Sequence, residues 1–306
     1  MQDGVLIIDK PDGLSSAQVV GRVKKSLKAR KVGHAGTLDP FATGVLVCLI
    51  NRATRLAQFL LRGKKQYQAV LHLGVATDTQ DPTGHVVESR PVPNFSEEYL
   101  QQIFQRYVGT VEQIPPAYSA LKHKGVALYK LARQGRSIQK PARSVQIERL
   151  EIDRVALPEV HFTITCSAGT YVRTLCADIG HALGCGGHLS ALRRTKSSGF
   201  GIDEAMRLEA LEHNAGGRQS PVTLIPLSAA LRNMPVLRAD RRVTAKITNG
   251  GKINVKDFTD LPHDATVMNN GEQGTFYKVF DRDAQLIAIV SVDWQKETIA
   301  YHGVFT

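Results

Sequence analysis

Asp39 is the residue around which this chain could build chemistry. It stands in the segment Gly33-His34-Ala35-Gly36-Thr37-Leu38-Asp39-Pro40-Phe41-Ala42-Thr43-Gly44. Three glycines and Thr37 beside one carboxylate let the backbone approach a ligand closely. Between Asp12 and Asp78 it is the single carboxylate, and the same stretch carries eleven Lys and Arg. Nearby positive charge favours the ionised form. Asp39 therefore suits a nucleophilic or electrostatic role better than that of a general acid. An Asp-Pro pair is also an ordinary turn, and these residues alone leave catalysis and a structural turn both open.

Other reactive side chains point nowhere so clearly. Cys48, Cys166, Cys176 and Cys185 form no C-x-x-C pair and sit among apolar or small residues. They read as buried free thiols of a reducing compartment. Cys176, His181, Cys185 and His188 match no zinc spacing, so no metal is expected.

The elements that must position Asp39 follow from periodicity. Gly4–Lys10 reads as a strand entering the Pro11-Asp12-Gly13 turn. Ser15 or Ser16 can cap a helix running to about Arg30, with Val19, Val20, Val23 and Leu27 on its inner face. Residues 33–43 read as a loop and Gly44–Ile50 as a buried strand. A short helix is expected over Ala53–Leu61, a strand over Gln66–Gly74 and a helix over 96–108. Residues 113–143 look like a surface insertion, with Pro115-Pro116, Tyr118, Tyr129 and scattered cations. Val160–Ser167 reads as a strand, Tyr171–Leu183 as a helix, and Gly184–Ser198 as a Gly-rich turn followed by a basic segment. Residues 235–306 show short β-like runs, among them Gly274–Val279, Leu286–Val292 and Ile299–Phe305. The order of strands and helices implies α+β with a mixed or antiparallel sheet and a small all-β module at the end. The domains expected are 1–230, with the insertion at about 113–143, and 231–306. No glycine fingerprint of a nucleotide cofactor is present.

The formal net charge of +11 in 306 residues suggests a polyanionic partner. A second stretch, Gln113 to Ile147, lacks any carboxylate and holds seven Lys and Arg. Two one-signed stretches favour a phosphate-binding surface over ordinary mixed surface charge. No apolar run approaches the length that spans a bilayer, and the first residues lack a secretory pattern. The cytoplasm is the default compartment.

Several motifs resemble, in order, the TruB family of tRNA pseudouridine synthases. Lys10-Pro11-Asp12-Gly13-Leu14-Ser15-Ser16 and Gly33–Pro40 carry the first likeness, and Lys65-Gln66-Tyr67 the second. Gly74–Asp81, Gln113–Lys122, Cys166–Leu175 and Leu189–Thr195 continue it, so the likeness covers roughly residues 4–200. Several motifs in order are far more specific than one.

The resemblance implies isomerisation of uridine 55 in the T-arm of tRNA, with Asp39 as nucleophile or essential carboxylate and no cofactor. It implies a pseudouridine synthase core and makes 113–143 an RNA-gripping thumb. It makes Arg173 the ion-pair partner of Asp39, and Tyr67 the residue that stacks on the flipped base and serves as general base. A stacked uracil must leave its helix to be reached, and His34 is the implied filler. Leu192 and Tyr171 would line the uracil pocket, and Lys10 and Pro11 would support the loop. Lys122, Lys130 and Arg133 of the thumb are expected to bind RNA. The last module resembles a PUA domain by position and size and would touch the acceptor end. A monomer working without guide RNA is expected.

Asn51 departs from the usual family glycine, but asparagine tolerates left-handed backbone. Two other classes stay in view. One is a non-catalytic RNA-binding or tRNA-folding protein, which would not need Asp39. The other is a hydrolase, which would need Asp78 or Asp81 as a second carboxylate.

Overall fold

The computed structural model describes residues 2–119, 121–136, 138–215, 222–258, 276–293 and 296–305. The chain divides into two compact units. One comprises Leu6–Cys48 with Ala57–Val222, and the other Met1–Val5, Leu49–Leu56 and Thr223–Thr306.

The first unit is built on a mixed, ten-stranded sheet. Across it run Met206–Arg207, Gly4–Lys10, Thr43–Ile50, Gly187–Ser197, Lys65–Leu73, Glu159–Cys166, Arg143–Ala156 and Gly109–Gln113. Lys65–Leu73 pairs antiparallel with both of its neighbours, and the register sets Tyr67 opposite Ile164 on one side and Arg194 on the other. Alternate residues of Lys65–Leu73, including Tyr67, Ala69 and Leu71, are buried against helix Val172–Ala182 and helix Glu97–Gln105. That period of two is what a sheet with one packed face produces.

Local chemistry accounts for the element ends. Ser15 caps helix Ser16–Ser26 in a reciprocal arrangement with Gln18. The helix stops short of the expected Arg30 because Lys28 turns left-handed, at φ 47°. Ser96 caps Glu97–Gln105. Asn51 takes φ 51°, the conformation for which a glycine would otherwise be needed.

Several segments differ from the sequence reading, among them the short strand Val32–His34 where a loop is expected. Gly187–Ser197 is an interior strand of the sheet, not a turn and a basic segment. Its charges misled: Arg193 pairs with Asp9 at 2.8 Å, and Arg194 points inward. Arg143–Ala156 forms one long strand, of which the sequence reading saw only the end of an insertion. The insertion itself is not wholly superficial. It forms a short hairpin, Lys122–His123 with Val126–Ala127, and a helix, Leu128–Ala132, whose Leu128 is buried.

The second unit holds a four-stranded sheet that includes Phe276–Phe280, Leu286–Asp293 and Thr298–Val304. Helix Arg241–Thr248, capped by Asp240, contributes Val243 and Ile247 to its core. The start of the expected strand Gly274–Val279 lies outside the described residues. No helix is long and apolar enough to cross a membrane among the described residues.

Candidate active site

The loop carrying Asp39 is tied down on both sides of the carboxylate. The Ser16 hydroxyl donates to Leu38 O at 3.0 Å and accepts from Leu38 N at 2.9 Å. The fully buried Lys10 ammonium donates to Pro40 O at 2.8 Å, Leu14 O at 2.6 Å and Pro11 O at 2.8 Å. Arg194 donates to Gly36 O at 3.0 Å and Thr37 O at 3.3 Å. Each cation satisfies several carbonyls that a buried loop would otherwise leave unpaired. Gly44 lets the strands meet beside this loop: a Cβ there would lie 2.2 Å from Arg194 O.

Arg173 meets Asp39 from the first turn of helix Val172–Ala182. Its Nε lies 3.1 Å from Asp39 Oδ2 and its Nη2 3.5 Å from Oδ1. The same guanidinium reaches Asp81 Oδ2 at 3.0 Å, Thr79 O at 3.1 Å and Tyr118 O at 2.9 Å. The side chains of Arg173 and Asp81 are each 5% exposed, and that of Asp39 35%. One planar cation thus bridges a buried and an accessible carboxylate, a geometry suited to arginine's fork. Asp81 Oδ1 accepts from Thr79 and Thr83 hydroxyls at 2.7 and 2.6 Å. With both oxygens engaged, Asp81 is a support for Arg173, not the free second acid or base that a hydrolase would need.

Asp39, Tyr67, Arg173, Tyr171 and Leu192 line one cavity of about 360 Å³, together with Lys65, Ser119, Arg143 and Arg194. This volume falls within the range of small-molecule sites. Arg143 stacks over the Tyr171 ring at 4.7 Å and donates to Gly169 O. The buried Gln113 amide clamps Tyr171, accepting from its N at 2.9 Å and donating to its O at 3.2 Å.

The electrostatics add to what the sequence shows. Burial raises the Asp39 carboxyl above its ordinary value; Arg173 and Lys10 pull it down, and Asp81 pushes it up. Counting cations along the chain had favoured simple ionisation. The fold adds desolvation and a second carboxylate to that count. Burial likewise pushes the Tyr67 phenol up, against the pull of Arg194, with Cys166 and Asp39 adding to the rise. Lys10 and Lys65 are each lowered to about 8 by desolvation.

The remaining expected residues lie elsewhere. His34, at the end of the short strand Val32–His34, does not line the cavity. Its Nδ1 is buried without a partner, and burial and Arg194 lower its pKa. Pro11 contributes its carbonyl to the Lys10 ammonium. Lys122, Lys130 and Arg133 are exposed on the insertion, with Arg133 over the Tyr129 ring at 5.8 Å. Sequence reasoning missed the bracing by Gln113, Arg143 and Arg194. Arg194 was visible only as a neighbour of Leu192. The four cysteines are buried and free, and no group that could hold a metal ion occurs among the described residues.

Comparison with known proteins gives the family. Two family models match: TruB family pseudouridylate synthase (N-terminal domain) over residues 24–172, and tRNA pseudouridylate synthase B C-terminal domain over 173–233. The chain is 48% identical to tRNA pseudouridine synthase B of Syntrophotalea carbinolica over 235 residues, covering 77% of this chain and 76% of that one. It is 39% identical to the protein of the same name from Burkholderia mallei over 287 residues, covering 94% and 92%. Among solved structures, it is similar to a chain of a Cbf5–Nop10–Gar1 complex, with TM-score 0.74 and 26% identity over 99% of this chain and 85% of that one.

Proposed function

The chain belongs to the TruB family of pseudouridylate synthases, and from that membership we propose that it isomerises uridine 55 in the T-arm of tRNA to pseudouridine. The observation that carries this reading is the Asp39 carboxylate, a third exposed at the cavity and braced from beneath by Arg173. A protein that only gripped RNA would not need a buried arginine with a second buried carboxylate behind it, since burying charge is costly unless it is used or fully paired.

The uracil leaves its stack and enters the cavity. Asp39 meets the nucleoside there as the essential carboxylate, on the nucleophile side of the reaction. Arg173 holds its two oxygens in place. Tyr67 underlies the base and accepts the proton that C5 must lose, and Leu192 and Tyr171 bound the pocket. No metal or organic cofactor takes part. Lys122, Lys130 and Arg133 bind the RNA backbone from the thumb, and His34 fills the vacated stack.

The substrate is tRNA, bound through the T-arm and, by a PUA-like module over 231–306, through the acceptor end. The catalytic domain then covers 1–230. The enzyme acts as a cytoplasmic monomer. The Cbf5 likeness is one of fold at 26% identity, whereas the tRNA-directed relatives stand at 39–48%, which supports action without a guide RNA. Asp39→Asn protein incubated with tRNA containing 5-tritiated uridine decides the central point. Loss of tritium release with RNA binding intact is expected, and retained release would sink the role of Asp39.

A further inference from the structure

Arg194 is 1% exposed. Its Nε donates to Val45 O at 2.7 Å, Nη1 to Thr37 O at 3.3 Å and Nη2 to Gly36 O at 3.0 Å. Among the described residues no ion pair holds it. Neutral donors could tie these carbonyls without the cost of desolvating a full charge. The surroundings show where that charge is felt. Arg194 is the cross-strand partner of Tyr67, so the two side chains share one face of the sheet, and its charge pulls the Tyr67 phenol down against burial. Both side chains line the cavity of Asp39.

Resting on the reading of Tyr67 as the proton acceptor, we propose that Arg194 is the positioning residue for the proton-removal step, fixing the Asp39 loop and the Tyr67 hydroxyl in one arrangement and stabilising the Tyr67 phenolate. The other groups facing Tyr67 cannot supply this. Cys166, at the end of the neighbouring strand, is raised to about 11 by burial and stays a neutral thiol. Asp39 opposes the phenolate. Lys65, on the same strand as Tyr67, spends its ammonium on Leu61 O and Gly63 O.

Once the new bond joins C5 of the base to C1′ of the ribose, C5 still holds its hydrogen and N1 is doubly bonded to C6. The C5–H bond breaks and the proton passes to the Tyr67 phenolate oxygen. Its electron pair forms C5=C6, the N1=C6 pair returns to N1, and N1 takes a proton from water. The phenolate forms at the outset of this step, when the Tyr67 phenol, held protonated by burial, gives its proton to water beside Arg194; taking the C5 proton restores the phenol.

The test compares Arg194→Gln with the unaltered protein on tRNA carrying 5-protio or 5-deuterio uridine. A general base contributes about 10²–10⁴ in rate, so weakening it should cost about tenfold or more in kcat, with KM for tRNA little changed. Slowing the C5 proton step should also raise the deuterium isotope effect on kcat. A purely structural defect slows the earlier steps and leaves that isotope effect at the parent value or below, which would overturn the inference, as would parental kcat. Arg194→Lys, whose ammonium reaches fewer of these acceptors, is expected to move both quantities the same way by less. It decides the matter if the glutamine variant fails to fold, and an unraised isotope effect in it overturns the inference equally. Tyr67→Phe separates the two levels. If it leaves kcat and the isotope effect unchanged, the reading of Tyr67 itself fails. If it alters them while the Arg194 variants do not raise the isotope effect, only the inference fails.

Discussion

Replacing Arg173 by lysine keeps the charge and removes the fork. The guanidinium now serves two oxygens of Asp39, one of Asp81, and the carbonyls of Thr79 and Tyr118, at 2.9 to 3.5 Å. A lysine ammonium has three donors at one point and cannot span two carboxylates approached by different edges of the arginine. At least one charge-assisted bond and one carbonyl contact are lost. Hydrogen bonds to charged groups contribute about 1.5–3 kcal/mol and a neutral one about 1 kcal/mol. With Asp39 a third exposed, the lower end applies to its share, giving a loss of about 3 kcal/mol. For a chain of this size that is a fall of about 6–12 °C in Tm. A carboxylate displaced by about 1 Å costs on the order of a hundredfold in kcat. Calorimetry and single-turnover tritium release measure the two effects. Arg173→Lys protein melting within about 2 °C of the parent and reacting within about threefold would refute the bridging argument.

Asp81→Asn should lower stability by about 3 kcal/mol, because it breaks a buried pair from one side; a urea titration reads this. It also removes a charge that pushes the Asp39 carboxyl up, so any surviving activity should show its acid limb at lower pH. Asp39→Asn should match the parent in Tm at low pH and exceed it at neutral pH. A carboxyl raised in the folded state favours folding while protonated, and that contribution is lost as pH rises through the folded value; parallel melts at about pH 4 and 7, either side of the ordinary carboxylate range, check it. Activity should fall above about pH 8, where Lys10 and Lys65 lose protons that hold loop carbonyls. Stability should not fall with it, since a lysine lowered by burial favours folding as pH rises toward its unfolded value; a pH–rate profile beside pH-dependent melts separates the two. RNA affinity should drop steeply between roughly 50 and 200 mM salt, and a flat titration would contradict the basic-surface reading.

Much of the fold was legible wherever one periodicity ruled. Val19 and Val23 mark the buried side of the first helix, and Leu175 and Ile179 that of the helix after Tyr171. The strand after Asp39, Thr43–Ile50, was legible for the same reason, whereas the short strand Val32–His34 before it falls in what reads as a loop. Gly187–Ser197 was not, because glycines at its start and consecutive arginines near its end imitate a surface turn. Only the tertiary partners, Asp9 for one arginine and loop carbonyls for the other, make it an interior strand. The convergence of Asp39, Arg173 and Tyr67 came from ordered motifs, since their separation along the chain holds no geometry. Asp81 was visible as a nearby carboxylate, but its role depends on Arg173 reaching both acids at once. No local pattern encodes such a bridge.

The excess of cations had been ascribed to phosphate binding, and the structure divides that excess. Lys24, Lys25, Lys122 and Lys130 are exposed and available to a polyanion. Lys10, Lys65, Arg173 and Arg194 are buried and face backbone carbonyls or the acids of the cavity. The second group makes the loop possible. A glycine-rich loop open enough to admit a nucleotide cannot pair its carbonyls in a ladder, and water must be kept from them if the cavity is to strengthen its charges. A cation with three to five donors closes several carbonyls from a single position. The same cations leave positive potential around the one accessible carboxylate, so the scaffold that shapes the site also opposes the burial that would protonate Asp39. Of these four buried cations only Lys65 lies in a stretch that reads as phosphate-binding, so the internal frame of the cavity is largely separate from the RNA-facing stretches, and neutralising it should damage catalysis without changing the salt dependence of RNA binding.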